Sequence, residues 1–148
     1  MLAYVNALHR DARPYGAAMD ALEGVLRPLS FGLRPDLLLV DENLLRQSAA
    51  AVVDILSWLA DSEKADLKTA AISLMGVLGW ESLLARMERS LQASPTWERA
   101  AAVEALARMG TPRARALLRG AEQDPDPAVR AAIRRALDPT EGRHGDRE

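Results

Sequence analysis

The feature that most constrains the fold is a self-similarity with a step of 31 residues, which begins after residue 60. The segments that align at this step are 67–72, 98–103 and 129–134. The same step also aligns Met75 with Leu106 and Leu137, and Gly79 with Gly110. A period of about 20–50 residues built from two helices is typical of α-solenoids, in which each helix pair buries its apolar face against its neighbours. The repeat therefore predicts an all-α fold, a short α-solenoid of about three helix pairs with an N-terminal helical cap.

Prolines, glycines and apolar residues spaced three and four apart predict the individual helices. They are expected at about 2–12, 15–29, 42–60, 63–78, 80–92, 96–109, 112–122 and 127–137. Asp41 is the expected N-cap of the long helix that begins at about residue 42. The stretch 37–40 is either a helical turn or a short extended piece.

The domain organisation follows from these helices. We expect a single helical-repeat domain over residues 1–138, in which residues 1–40 form the cap. Repeat one spans 41–79, repeat two 80–110 and repeat three 111–138. Residues 139–148 lack apolar periodicity and are expected to be a disordered tail. At the 31-residue step, Ile72 and Val103 align with Arg134. A terminal repeat needs a polar outer face, because no further repeat covers it. The charged residue at this position therefore indicates that repeat three ends the array.

The stretch from Asp124 to Ala132 resembles the entry to the second helix of a HEAT repeat, especially the short bacterial type also found in phycobilisome-lyase-like proteins. The acidic residue of the family falls on Asp124, and its Val-Arg pair falls on Val129 and Arg130. The resemblance covers about residues 61–138, and it weakens upstream, where Ala93 replaces the acidic residue in repeat two. It implies that Asp124 and Arg130 make a structural contact between loop and helix; a charged binding pair is the alternative.

The resemblance also implies that the second helices line a concave surface. If Ala102 is the centre of the buried face, Glu98 lies within about 60° of it and Trp97 about 140° away. The same projection selects the exposed residues of the second helices, from which we predict the partner-binding set Asp66, Ser73, Trp97, Glu104, Arg108 and Arg135. Trp97 is either a binding anchor or a residue that packs locally against its turn.

Catalysis has little support in this sequence. There is no cysteine, which excludes a thiolate nucleophile and Cys-ligated metal sites. The histidines, His9 and His144, stand at opposite ends of the chain, and no phosphate-binding glycine motif is present. We expect no enzymatic activity, no catalytic residues, no metal and no cofactor. The resemblance raises a chromophore-lyase activity, which would require a bilin and a partner protein, and we do not favour it.

Charge decides between the remaining function classes. The chain has 19 basic and 21 acidic residues, a net charge of −2, which argues against a protein dedicated to nucleic acid. We therefore predict a non-catalytic module, an adaptor or regulatory subunit, that binds another protein through the second-helix face or through residues 31–40. Those residues are otherwise part of the cap. The alternative is nucleic-acid binding through arginine clusters, either Arg113, Arg115 and Arg119 or Arg130, Arg134 and Arg135.

The location of the protein in the cell is predicted from features that the sequence lacks. No run of about 20 apolar residues exists to cross a membrane, and no secretory signal precedes the first helix. With no cysteines for an oxidising compartment, the cytoplasm is the expected location. The identity of the partner and the oligomeric state are left open.

Overall fold

The computed structural model describes residues 13–30, 35, 41–93 and 95–138, and every regular element in them is helical. The predictions for the first helix, for residues 31–40 and for the C-terminal tail lie wholly or almost wholly outside the described residues. The chain divides into two compact units, Met1–Leu78 and Gly79–Glu148. Each unit is described by itself below, as the N-terminal unit and the C-terminal unit.

The N-terminal unit contains α1 (Arg13–Ser30), α2 (Glu42–Arg46), α3 (Ala49–Ala60) and α4 (Ala65–Leu78). Helix α1 packs on α3 and α4, and α3 and α4 pack on each other. Side chains from all three helices are fully buried in the core, among them Leu22, Val52, Leu56, Ile72, Leu74 and Met75. This close packing of aliphatic side chains is what holds the unit together.

The expected long helix over 42–60 is instead two helices, α2 and α3. Asp41 caps α2 as predicted, since its carboxylate accepts a hydrogen bond from the Leu44 backbone N–H at 3.1 Å. Ser48, with φ −126° and ψ 39°, leaves the helical region and is the N-cap residue of α3, where its hydroxyl makes no capping hydrogen bond. The break is invisible to apolar spacing because Leu45, Val52 and Leu56 keep intervals of seven and four across it.

The C-terminal unit contains a 3₁₀ turn (Glu81–Leu83), α5 (Leu84–Leu91), α6 (Thr96–Met109), α7 (Pro112–Gly120) and α8 (Pro127–Leu137). Helices α5 and α6 pack as one pair, and α7 and α8 as the next. The pairs join mainly through their second helices, because α6 packs on both α7 and α8. The shared core is aliphatic and includes Leu83, Met87, Ala102, Leu106, Leu118 and Ile133.

Local signals set the helix boundaries in this unit. Thr111 caps α7 and Asp126 caps α8, each through a hydrogen bond to a backbone N–H, and proline follows each cap at the first helical position. Gly110 ends α6 in the left-handed conformation at φ 63°. Helices α6 and α8 therefore have the predicted bounds, while α7 ends two residues before the expected residue 122.

The residues used to interpret repeat three as the last repeat differ in exposure. Ile72 and Val103 are buried, each in its own unit, whereas Arg134 on α8 is exposed. The single repeat domain and the end of the array stay predictions.

Candidate functional site

Asp124 is the centre of a buried polar network that joins consecutive helix pairs. Its side chain is only 4% exposed, and its Oδ2 accepts a hydrogen bond from Arg99 Nε at 2.8 Å. Its Oδ1 accepts from the Asp126 backbone N–H at 2.9 Å. Arg130 donates instead to the Asp124 backbone carbonyl oxygen, at 2.6 Å. The loop before α8 is therefore held from both sides by arginines.

Arg99 is the member of this network that sequence reasoning missed. It also donates to the backbone carbonyl of Ala93 at 3.0 Å, so it links the α5–α6 loop to the α7–α8 loop. Its side chain is 11% exposed, and its donors are used within the protein. The 31-residue repeat could have indicated the role of Arg99, because basic residues recur at this step as Lys68, Arg99 and Arg130.

A second buried polar cluster joins α5 to α6. Glu98 lies on the buried face, where the helical projection places it, and its carboxylate accepts a hydrogen bond from the Ser90 hydroxyl at 3.0 Å. Arg86 donates to that same hydroxyl oxygen at 2.7 Å, and its guanidinium lies 3.8 Å from the Glu98 carboxylate. These contacts compensate charges that would otherwise be buried at a high free-energy cost.

The predicted partner-binding residues fall into separate sets. Trp97, Glu104 and Arg108 are all exposed on α6, and they lie within about 40° of one another around its axis. Arg135 is exposed on the neighbouring helix α8. Asp66 is exposed and Ser73 half-buried on α4, which belongs to the N-terminal unit, so the structure does not bring these residues together with the α6 set.

A groove between the first helices of the C-terminal unit, α5 and α7, was not predicted. It has a volume of about 680 Å³. A second cavity of about 370 Å³ adjoins it and shares Glu88, Ala116 and Leu117 with it. Small residues along both helices leave this space open, namely Ala85, Ala116, Gly120 and Ala121. In the sequence, the groove is marked only by small residues on the first helices. The 31-residue repeat instead pointed to the residues of the second helices.

The arginines of the predicted nucleic-acid clusters are partly committed to the protein itself. Arg113 forms an ion pair with Glu81 at 2.9 Å, and Arg115 donates to the backbone carbonyl of Leu137 at 3.2 Å. Arg130 is held by Asp124, as described above. Arg119 and Arg135 are exposed. The structure therefore shows no continuous phosphate-binding surface built from these clusters within the described residues.

The described residues contain no group of three or more His, Asp or Glu side chains that could hold a metal ion. None of their helices combines the length and the apolar character needed to span a membrane.

A family model described as HEAT repeats matches residues 81–146. This confirms the resemblance and, together with the helical structure, the all-α fold class of the short-solenoid type. The narrower likeness to the short bacterial type stays a prediction. No curated protein and no solved structure matches the chain.

Proposed function

We propose that this chain, whose residues 81–146 are HEAT repeats, is a non-catalytic module that binds another protein as an adaptor or regulatory subunit. HEAT repeats generally serve protein interaction, because their stacked helix pairs build extended binding surfaces. The proposed location is the cytoplasm, as the absence of cysteine favours.

The observation that carries the proposal is the exposure of Trp97. Its side chain is 43% exposed in the first turn of α6, and it is one of two exposed large apolar side chains in the described part of the chain. Tryptophan and arginine are enriched among the residues that dominate the energetics of protein interfaces, and tryptophan buries a large apolar area. Arg108 lies on the same side of α6 as Trp97. The second-helix face thus offers an aromatic anchor with a charged rim.

The charges around Trp97 favour a protein partner over a nucleic acid. Glu104 and Arg108 have opposite signs, and Arg135 on α8 adds one more positive charge. A phosphate backbone would be repelled by the carboxylate, whereas a protein surface can match both signs. Asp66 and Ser73 of the N-terminal unit are proposed as a separate part of the partner-binding set, and residues 31–40 are the alternative binding segment.

The proposal is tested by affinity purification from the source cell with the full chain and with its Trp97→Ala variant. We expect the wild type to retain a reproducible protein partner, and Trp97→Ala to weaken binding about tenfold or more in a titration with that partner. Leu44→Ala is the matched control, because Leu44 is the other exposed large apolar residue, at 48%, and lies in the N-terminal unit.

Two outcomes would contradict the proposal. One is a partner whose affinity is unchanged by both Trp97→Ala and Arg108→Glu. The other is retention of nucleic acid in place of any protein, with an affinity that falls steeply with salt.

A further inference from the structure

The groove between α5 and α7 is a concave feature of the C-terminal unit that the second-helix face does not account for. Its volume of about 680 Å³ is in the range of ligand-binding cavities. Trp97, Glu104 and Arg108 do not line it or the adjoining cavity. The groove therefore shares none of these three residues with the second-helix face, and the two surfaces can be tested separately.

The shape of the groove favours a short peptide segment. The groove and its adjoining cavity follow α5 and α7 from Glu81 and Arg113 at one end to Gln92 and Ala121 at the other. Helices of 8 and 9 residues are about 12–14 Å long. That length accommodates about four residues of extended chain, at roughly 3.3 Å per residue.

The walls of the groove are apolar near its centre. Leu91 and Leu117 face it from α5 and α7, and Ala116 and Ala121 leave room beside them. Leu117 is half-buried and Ala116 exposed, so an aliphatic side chain placed here would remove apolar surface from water.

The charges of the groove cancel except for one carboxylate. Arg99 is neutralised by Asp124, and Arg113 by Glu81. Glu88 lines both cavities, and it has no ion-pair partner among the described residues. Residues three and four positions away on its own helix are uncharged, namely Leu84, Ala85, Leu91 and Gln92. The groove therefore presents one negative charge at the junction of its two parts.

We infer that this groove is a second docking site, which binds a short segment of a partner protein carrying a lysine or arginine next to an aliphatic residue. The basic side chain pairs with Glu88, and the aliphatic side chain lies against Leu117. Arg99 already uses its donors within the protein, so it does not recruit an acidic ligand instead. The inference rests on the proposed protein-binding role but not on the second-helix face.

The test selects peptides from a random phage-displayed library on the full chain and measures the binding of the enriched peptides by fluorescence anisotropy. We expect enriched peptides to contain Lys or Arg beside Leu, Ile, Val or Met. Glu88→Lys should weaken their binding about tenfold, because it replaces an attractive charge by a repulsive one. Glu63→Lys, the same charge reversal at an exposed carboxylate of the N-terminal unit, should leave it unchanged.

A second variant blocks the groove without touching the core. Ala116 is exposed and lines both cavities, so Ala116→Lys should fold normally while its side chain fills the groove and supplies a cation to Glu88. We expect it to weaken peptide binding at least as much as Glu88→Lys.

The outcomes separate this inference from the proposed function. Basic–aliphatic peptides that lose affinity in Glu88→Lys and Ala116→Lys support the groove. If the binding of the enriched peptides depends on Trp97 but not on Glu88, the groove inference is overturned and the second-helix face is supported. Enrichment of acidic peptides, or no enrichment at all, also overturns it.

Discussion

At the scale of single residues, the ion pairs of the C-terminal unit differ mainly in burial. The Arg99–Asp124 pair has side chains that are 11% and 4% exposed, whereas the Arg113–Glu81 pair has side chains that are 72% and 67% exposed. Their shortest N–O distances, 2.8 and 2.9 Å, are nearly equal. Burial decides the consequence of losing one partner, because water replaces a lost partner at the surface but not in the interior.

Asp124→Ala should therefore destabilise the protein by about 3–5 kcal/mol, since it leaves the Arg99 guanidinium buried without its carboxylate. It also removes the acceptor of the Asp126 N–H. Glu81→Ala, which breaks the exposed pair, should cost less than about 1 kcal/mol. Urea denaturation followed by circular dichroism measures both changes. Equal losses of stability in the two variants would show that burial of the pair is not what matters.

At the scale of elements, a glycine in the left-handed conformation follows each of two helices at positions 31 residues apart. Gly79 follows α4 with φ 65°, and Gly110 follows α6 with φ 63°. A side chain at this φ is strained even where space is free, because Cβ crowds its own backbone. The 31-residue spacing of these glycines thus has a backbone cause, separate from the packing of apolar residues.

Gly110→Ala should destabilise the protein by about 1–2 kcal/mol through this strain, although a Cβ there meets only the Ala107 carbonyl oxygen at 3.9 Å. Gly120→Ala is the matched control, because Gly120 ends α7 without a positive φ and a Cβ there meets no atom within 4 Å. That control should be neutral or stabilise by up to about 1 kcal/mol, since alanine favours helix. Thermal unfolding of both variants provides the comparison. A neutral Gly110→Ala would contradict the backbone explanation.

Boundaries at the scale of elements were predictable wherever a local signal sets them. The caps Thr111 and Asp126 and the prolines that follow them act within one turn, so the starts of α7 and α8 were predicted to the residue. The break at Ser48 was missed because the apolar spacing continues across it. Serine is compatible with both a helix interior and a cap, so only its surroundings in the N-terminal unit select between them.

At the scale of the whole molecule, the balance of charge limits the kind of partner. The chain contains 17 arginines and 2 lysines, yet its net charge is −2. Several arginines are held by internal contacts, as Arg115 is by Leu137 and Arg130 by Asp124. These internal contacts make Arg115 and Arg130 less available to neutralise phosphates.

We accordingly expect the full chain to leave a heparin column at low salt, with a shallow dependence of retention on salt concentration. Reversing the charge of exposed arginines in the Arg119→Glu/Arg135→Glu variant should change retention little. Retention beyond physiological salt, lost in this double variant, would support the nucleic-acid alternative instead.

The sequence by itself determined the helical fold class, the resemblance to HEAT repeats and the side of α6 that is exposed. These depend on periodicity, capping and helix-terminating glycines, which act between residues close in the chain. The exposure of Trp97, Glu104 and Arg108 on α6 agrees with the helical projection for this reason.

Only the tertiary structure decided the partners across helices. It paired the carboxylate of Asp124 with Arg99, 25 positions away, and left Arg130 to the backbone carbonyl. It also opened the groove between α5 and α7, where Glu88 stands beside Leu117 of another helix. Such contacts depend on how helices pack in space, and the repeat pattern shows which residues face a neighbour without showing which atoms they meet there.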